Sequence, residues 1–294
     1  MTMSTDLCRW AIRMTIGLAL CAAATDAHGA LMACGAKDRV TGLLRDGATI
    51  RVRTVCRATE VVVDLTQLTT TPPAECAADA VPSGGRCVDK YEASAWDIPP
   101  LATDVIAKVK AGTVTLADLT AAGAVQVGYT GAPFFHAAIP PTFPIDGNFA
   151  APIYAVSIPG VLPTTSFAGY QAHFACRLSG KRLLTPGEWL DAMTDTPDPD
   201  TDDGASDCNT GSPGTPTNAP SETGSRSSCV SVDGAFDGLG NVLELTRDPD
   251  SPFGGAQAWT YGGLWWEGAS ASVETGSILG PNVDHLGVGF RCAR

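Results

Sequence analysis

The stretch FACRLSGKRLLTPGEWLDAM, Phe174–Met193, is the most informative short segment of the chain. Its apolar, cysteine-containing start runs into the basic turn Gly180–Arg182. The residues that follow, TPGE at Thr185–Glu188, form a capping box that predicts a helix. In such a box the threonine side chain accepts from the third helical amide, and the glutamate reaches back to the amide of the cap. The proline stands at the first helical position, where no N–H is needed. The device is structural, worth on the order of 1 kcal/mol, and alone it indicates no chemistry.

The composition is that of a globular protein with many turns. The chain has 294 residues, of which 44% are hydrophobic and 17% charged, with 32 Gly and 21 Pro. This length fits one large domain and a small one. The net charge is −12 and no run of Lys or Arg occurs. We therefore expect neither nucleic acid nor an anionic membrane as a partner, because both require a positive surface.

Residues 1–29 are predicted to be a signal peptide. Arg9 and Arg13 precede the apolar run Met14–Ala24, and small residues follow up to Ala30. The run is too short to span a bilayer, so no transmembrane segment is expected. The protein is therefore predicted to be exported, whether secreted, periplasmic or held at the cell surface. A lipoprotein-like sequence ends at Cys34, but it lies far from the apolar run, so anchoring there is the weaker alternative.

The cysteines indicate disulfide bonds. Ten are present, and Cys8 and Cys21 leave with the signal peptide, so that eight remain. An even number in an exported chain is typical of disulfides, although eight cysteines allow 105 pairings. Proximity along the chain suggests Cys34–Cys56, Cys76–Cys87 and Cys208–Cys229, which leaves Cys176 with Cys292. No CxxC pattern occurs, which argues against a zinc site or a thioredoxin-like centre.

The chain is predicted to contain a small module and a large domain. Residues 30–68 are read as a β-module closed by Cys34–Cys56, with strands in GLLRDG, TIRVRTV and EVVVDL. The threonine- and proline-rich residues 69–75 are predicted to be a linker. The large domain covers residues 76–294.

Within the large domain, CVDKYEAS at Cys87–Ser94 alternates like a strand. Helices are predicted over Ala102–Lys110, Leu116–Ala122 and Phe167–Leu178. The segment DPDTDDGASD, residues 198–207, superficially resembles an EF-hand loop. Asp203 stands where that loop requires glycine, so a solvated loop is the better interpretation.

Five motifs in order resemble the formylglycine-generating enzymes, also called sulfatase-modifying factors. They are KYEAS, ACRLSGKRLLTPGEW, DGLGNVLEL, GGLWW and the C-terminal GFRCAR, and the match as a whole runs from about Cys76 to Arg294. The resemblance implies an α+β, C-type-lectin-like fold with little regular secondary structure. It also implies that the cysteine before the GKRL turn pairs with the one in the final GFRC, which is Cys176 with Cys292.

The same resemblance implies a calcium site. Its ligands fall on the side chains of Asp237 and Glu244 and on the carbonyls of Gly240 and Val242, and such oxygen donors suit Ca²⁺. The alternative is that Asp237 only stabilises a turn while Glu244 points to solvent. The family's tryptophans in this motif are replaced by Leu243 and Leu245.

The catalytic residues of that family are missing. Its two copper-binding cysteines fall on Glu267 and Ser272, and neither supplies the soft thiolate that Cu(I) needs. Copper is therefore not expected. The related sulfoxide synthases use histidine-bound iron. After signal removal this chain keeps only His136, His173 and His285, with no i, i+4 pair, so iron is not expected either.

The C-terminal region beginning GGLWWEGASAS resembles the variable regions of retroelement-diversified C-type-lectin proteins. The resemblance implies a ligand-binding surface made of Trp265, Trp266, Glu267, Ser270, Ser272 and Glu274. Strand alternation would place the two tryptophans on opposite faces. The alternative is that both are core residues.

The sequence thus predicts an exported, non-catalytic domain that binds or displays a protein or carbohydrate ligand. The alternative is an oxidoreductase that acts on a cysteine of a sulfatase-type substrate through an altered metal site. No feature of the sequence specifies an oligomeric state.

Overall fold

The structure is a computed structural model that divides into two compact units, Met1–Pro72 and Pro73–Arg294. The boundary falls inside the stretch predicted as a linker, and the expected signal peptide lies outside the described residues. The described residues are 32–36, 51–53, 58, 60–62, 75–128, 137–197, 202–211, 219–247, 258–268, 271–273, 276–280 and 282–294.

The first unit contains a three-stranded antiparallel sheet in the order β2-β1-β3. The strands are β1 (Met32–Ala36), β2 (Arg51–Arg53) and β3 (Glu60–Val62). The outer two lie within the expected TIRVRTV and EVVVDL strands, whereas the central strand was not expected. The predicted strand in GLLRDG lies outside the described residues. Cys56 does too, and with it the expected Cys34–Cys56 bond.

In its described residues the second unit combines short strands with four helices, an α+β arrangement with little regular secondary structure. Its described strands form three sheets, in the orders β10-β15-β5-β4, β13-β12-β11-β14 and β8-β7-β6-β9. The strand pairs are antiparallel except β11–β14 and β7–β8. The strands are β4 (Ala80–Ser83), β5 (Arg86–Asp89), β6 (Ser94–Asp97), β7 (Val125–Gly128), β8 (Ala137–Ala138), β9 (Ile153–Val156), β10 (Arg182–Leu183), β11 (Leu243–Leu245), β12 (Ala258–Tyr261), β13 (Ile278–Leu279), β14 (Val288–Phe290) and β15 (Cys292–Ala293).

The helices are α1 (Thr103–Ala111), α2 (Leu116–Ala121), α3 (Gly169–Leu178) and α4 (Pro186–Ala192). Each lies where the sequence predicts a helix, within one or two residues. The capping box of α4 is present: Thr185 accepts from the amide of Glu188, and Glu188 accepts from the amide of Thr185 at 2.9 Å. Glu188 also accepts two hydrogen bonds from Arg182, so the basic turn and the helix start are held together. Within the described part of the chain, none of the helices has the length and apolarity needed to cross a membrane.

The expected continuous strand over Cys87–Ser94 was wrong. Strand β5 ends at Asp89, and β6 begins at Ser94 in a different sheet. Between them Glu92 turns its carboxylate into the interior, where the side chain of Asn241 and the amide of Val242 donate to it. The chain changes sheets because this buried acid needs hydrogen bonds that a continuous strand would not bring to it.

Three disulfides are present among the described residues: Cys76–Cys87, Cys176–Cys292 and Cys208–Cys229. They coincide with three of the four expected pairs. Cys176 lies in α3 and Cys292 in β15, so this bond ties the middle of the chain to its end. Both cysteines are buried in the largest apolar core, which also includes Phe167 and Phe290 at 5.6 Å between ring centroids.

Candidate functional site

Two adjacent tryptophans after β12 point in different directions. Trp265 is 4% exposed and belongs to the main core, whereas Trp266 is 41% exposed. Their ring centroids are 4.2 Å apart and the rings are nearly perpendicular, an edge-to-face contact. The two side chains differ in exposure, as predicted. The expected reason, strand alternation, was wrong, because the pair lies in a turn.

The indole of Trp266 lies over the backbone of Gly287. A Cβ at Gly287 would stand 2.6 Å from Leu264, 3.0 Å from Trp266 and 3.2 Å from Trp265, so glycine leaves the room that these three side chains occupy. The φ of Gly287 is +88°, which also favours glycine. The next residue back, Leu286, is 42% exposed. We call the surface made by the exposed side chains of Trp266 and Leu286, on either side of the buried Gly287, the tryptophan face.

The loop that carries Trp266 is tied to the rest of the unit. The amide of Trp265 donates to the carbonyl of Asn241, and the amide of Gly268 donates to the carbonyl of Thr210 at 2.7 Å. Glu267 accepts from the amide of Leu264 at 3.2 Å, which closes the turn. These bonds fix the backbone on both sides of Trp266.

The other residues expected in the ligand surface have different positions. Glu267 and Ser272 are both half-buried, while Ser270 and Glu274 lie outside the described residues. Glu267 and Ser272 also occupy the positions of the family's catalytic cysteines. All six described cysteines of the second unit are in disulfides, so this part of the unit presents no thiolate to a metal.

The second unit also contains a buried cluster of charged residues. We call Glu92, Asp237, Glu244 and Arg291 the acidic cluster, and all four side chains are buried. Arg291 donates to Glu244 through Nε at 3.0 Å and through Nη2 at 2.7 Å. The indole nitrogen of Trp189 donates to the same carboxylate at 2.8 Å. Glu244 is thus neutralised and hydrogen-bonded on both oxygens.

The other two carboxyl groups of the cluster are poorly compensated. Asp237 accepts from the amide of Gly224 at 2.7 Å, whereas its Oδ1 is buried with no hydrogen-bond partner among the described residues. Burial raises the pKa of Asp237 to about 7. Burial, and then the charges of Asp237 and Glu244, raise the pKa of Glu92 well above its usual range. Both carboxyl groups therefore hold their protons to a higher pH than free carboxyl groups do.

The two carboxylates expected to bind calcium have different surroundings. Asp237 has one oxygen available, but both oxygens of Glu244 are occupied by Arg291 and Trp189. No group of three or more His, Cys, Asp or Glu residues in the described ranges is placed to hold a metal ion. The alternative in which Glu244 points to solvent was wrong, because its side chain is buried. Calcium binding remains a prediction.

Glu92 and Arg291 were not assigned a role by the sequence. Glu92 lies in the KYEAS motif and Arg291 in the GFRCAR motif. The alternation of apolar and polar residues over Cys87–Ser94 predicted only that Glu92 lay on a strand. Charged residues are rarely buried without a partner. A partner 199 positions away in sequence is not visible from local pattern.

The histidines are dispersed along the chain. His173 lies in α3 with a buried Nδ1, His285 is exposed, and His136 lies outside the described residues.

Comparisons with known proteins gave structural similarities only. No protein-family model matches the sequence, and no curated protein matches it. The structure of PvdO from Pseudomonas aeruginosa is similar with a TM-score of 0.42 and 16% identity, over 90% of this chain and 91% of that one. The P3c variant of Major Tropism Determinant is similar with a TM-score of 0.40 and 16% identity, over 92% of this chain and 73% of that one. The U1 variant gives a TM-score of 0.35 at 14% identity, over the same shares of both chains.

Proposed function

We propose that the second unit is a C-type-lectin-like domain of the formylglycine-generating-enzyme type that binds a protein or carbohydrate ligand through the tryptophan face. The observation that carries this proposal is the state of Trp266. Its indole is 41% exposed, yet it is held against Trp265 and Gly287. A rigid, exposed aromatic side chain loses little conformational entropy on binding, and tryptophan is enriched among residues that dominate binding energy.

The chemistry of the loop favours binding over catalysis. Where the family places two copper-binding cysteines, this chain has Glu267 and Ser272. The carboxylate of Glu267 accepts from the amide of Leu264 and thereby supports the loop. Oxygen ligands of this kind do not suit Cu(I).

We also propose that the protein is exported. Disulfides persist in oxidising compartments and are rare in the cytosol. Three are described in the second unit, and the basic and apolar pattern of residues 1–29 is that of a secretion signal.

The test is binding of the purified protein to a glycan array and to a displayed peptide library. We expect Trp266→Ala to weaken any selected interaction by about 2 kcal/mol or more, the size typical of a dominant aromatic anchor. Leu101→Ala is the control, because Leu101 is 94% exposed and lies outside the tryptophan face. Equal binding by wild type and Trp266→Ala would refute the assignment. So would stoichiometric copper in the purified protein together with formylglycine formation on a sulfatase-motif peptide.

A further inference from the structure

A second concave surface lies between α3 and the loop around residues 146–149. Its volume is about 590 Å³, within the range typical of small-molecule sites. One wall is the face of α3 that carries Tyr170, His173, Phe174 and Arg177, which follow the i, i+3, i+4, i+7 spacing of a single helix face. The loop supplies the other lining residues, among them Asp146 and Phe149. We call this surface the α3 cleft.

The α3 cleft has an aromatic wall. Phe149 from the loop and Phe174 from the helix are stacked with ring centroids 4.5 Å apart and planes at 26°. Phe143 stacks behind Phe149, also at 4.5 Å, so both rings are backed by the main core. Tyr170 is 40% exposed at the start of the helix. Such a wall favours a flat, apolar ligand group, since aromatic rings prefer to meet other rings in offset or edge contacts.

One end of the α3 cleft is basic. Arg177 follows one turn after His173 on the same helix face, and the charge of Arg247 also acts on that imidazole. No described carboxylate forms an ion pair with either arginine. Burial, followed by these two positive charges, lowers the pKa of His173. The imidazole is therefore neutral, and its buried Nδ1 has no partner among the described residues.

The loop wall has the opposite charge. Asp146 lies at the edge of the α3 cleft, and its two oxygens accept from the backbone and side-chain nitrogens of Asn148, both at 3.1 Å. Its charge repels an anion from the loop side. An anionic group is therefore directed to Arg177, whose planar fork matches a carboxylate in two parallel hydrogen bonds.

We propose that the α3 cleft binds a small aromatic carboxylate, with its ring against Phe149 and Phe174 and its carboxylate on Arg177. This site is separate from the tryptophan face, and its occupancy does not depend on the function proposed above. The chemistry selects for two features together, a flat apolar ring and one negative charge. A ligand with only one of them lacks either the ring contacts or the ion pair with Arg177.

The probe is naphthalene-2-carboxylate, measured by isothermal calorimetry and by saturation-transfer NMR with the full protein. Its uncharged analogue is naphthalene-2-carboxamide. We expect the carboxylate to bind with saturation transfer to its ring protons, and the amide to bind at least about tenfold more weakly, because hydrogen bonds to charged groups are commonly worth that much. Arg177→Gln should weaken carboxylate binding to the level of the amide, and Phe174→Leu should weaken both compounds.

Lys110→Gln removes a basic residue from another helix and should leave binding unchanged. If a variant does not fold, the comparison of the carboxylate with the amide on the wild-type protein still tests whether the negative charge contributes to binding. Absence of carboxylate binding at millimolar concentration would overturn the proposal. Equal affinity for the two compounds would overturn it too, as would unchanged binding by a folded Arg177→Gln variant.

Discussion

Arg291 and Glu244 form an ion pair inside the second unit, with Nη2 2.7 Å from Oε1 and both side chains almost completely buried. The same guanidinium also lowers the pKa of Glu92 and of Asp237 against the stronger effect of their burial. One positive charge thus serves three carboxyl groups that come from separate parts of the chain.

We therefore predict an asymmetry between the two halves of this pair. Arg291→Met should destabilise the protein by about 3–5 kcal/mol, because it leaves a buried carboxylate uncompensated. Glu244→Gln should cost less, since its amide oxygen still accepts from Arg291 and two other carboxyl groups remain near that arginine. Guanidinium unfolding at neutral pH measures both.

The control is Arg182→Met. Arg182 pairs with Glu188 in a half-exposed ion pair, which is worth at most about 1 kcal/mol. A loss of stability in Arg291→Met no greater than that in Arg182→Met would contradict the role assigned to the acidic cluster.

A second prediction concerns calcium. While Arg291 holds Glu244, the ion has one carboxylate, that of Asp237, instead of two. If calcium binds this site, calcium should raise and EDTA should lower the melting temperature, because a ligand that binds the folded state stabilises it. An unchanged melting temperature with both additives would contradict the site. The measurement is thermal unfolding with each additive. A calcium-dependent increase that Asp237→Ala abolishes would show that the ion pair opens to admit calcium.

Much of the local structure was predictable from the sequence. Thr185 and Glu188 predict the start of α4, because the hydrogen bonds of a capping box join residues within a span of four. Cysteine spacing indicated Cys76–Cys87, 11 residues apart, for a similar reason. These features depend on neighbours in sequence, which a pattern can record.

The parts that could not be predicted depend on distant contacts. The strand over Cys87–Ser94 breaks because Glu92 binds Asn241 and Val242, which belong to another part of the chain. The turn that exposes Trp266 depends on Gly287 for space. Periodicity describes one segment at a time, so it cannot show which buried charge or glycine another segment will need.

The third prediction ranks two disulfides. Cys176–Cys292 joins residues 116 apart, and Cys208–Cys229 joins residues 21 apart. In the chain-entropy model the longer closure is worth about 5 kcal/mol and the shorter about 3 kcal/mol. The double variant Cys176→Ala/Cys292→Ala should therefore unfold at lower denaturant than Cys208→Ala/Cys229→Ala. The reverse order would show that strain or packing, and not loop length, dominates.

The last prediction concerns a buried lysine shared by two aspartates. Lys181 lies 2.6 Å from both Asp79 and Asp89, and Arg294 binds Asp79 as well. Burial raises the pKa of Asp89 to about 6, against the opposing charge of Lys181. Burial would also raise the pKa of Asp79, but the charges and hydrogen bonds of Lys181 and Arg294 outweigh it and keep that pKa below its usual value.

The two aspartates should therefore have opposite effects on stability as the pH changes. Because the pKa of Asp89 is raised in the folded state, its contribution to folding stability is complete below about pH 4 and is lost as the pH rises through about 6. As the pH rises from about 4 to about 7, the free energy of unfolding of Asp89→Asn should increase relative to wild type by on the order of 3 kcal/mol.

Asp79→Asn provides the matched comparison with the opposite sign. Because the pKa of Asp79 is lowered, its contribution is present above about pH 4 and is lost as the pH falls below that value. The Asp79→Asn variant should thus be least stable relative to wild type at neutral pH, where the ionised carboxylate would hold both Lys181 and Arg294. Chemical unfolding of wild type and both variants across this pH range measures the difference. If the two variants showed the same dependence of unfolding free energy on pH, the opposite pKa shifts assigned to Asp79 and Asp89 would be contradicted.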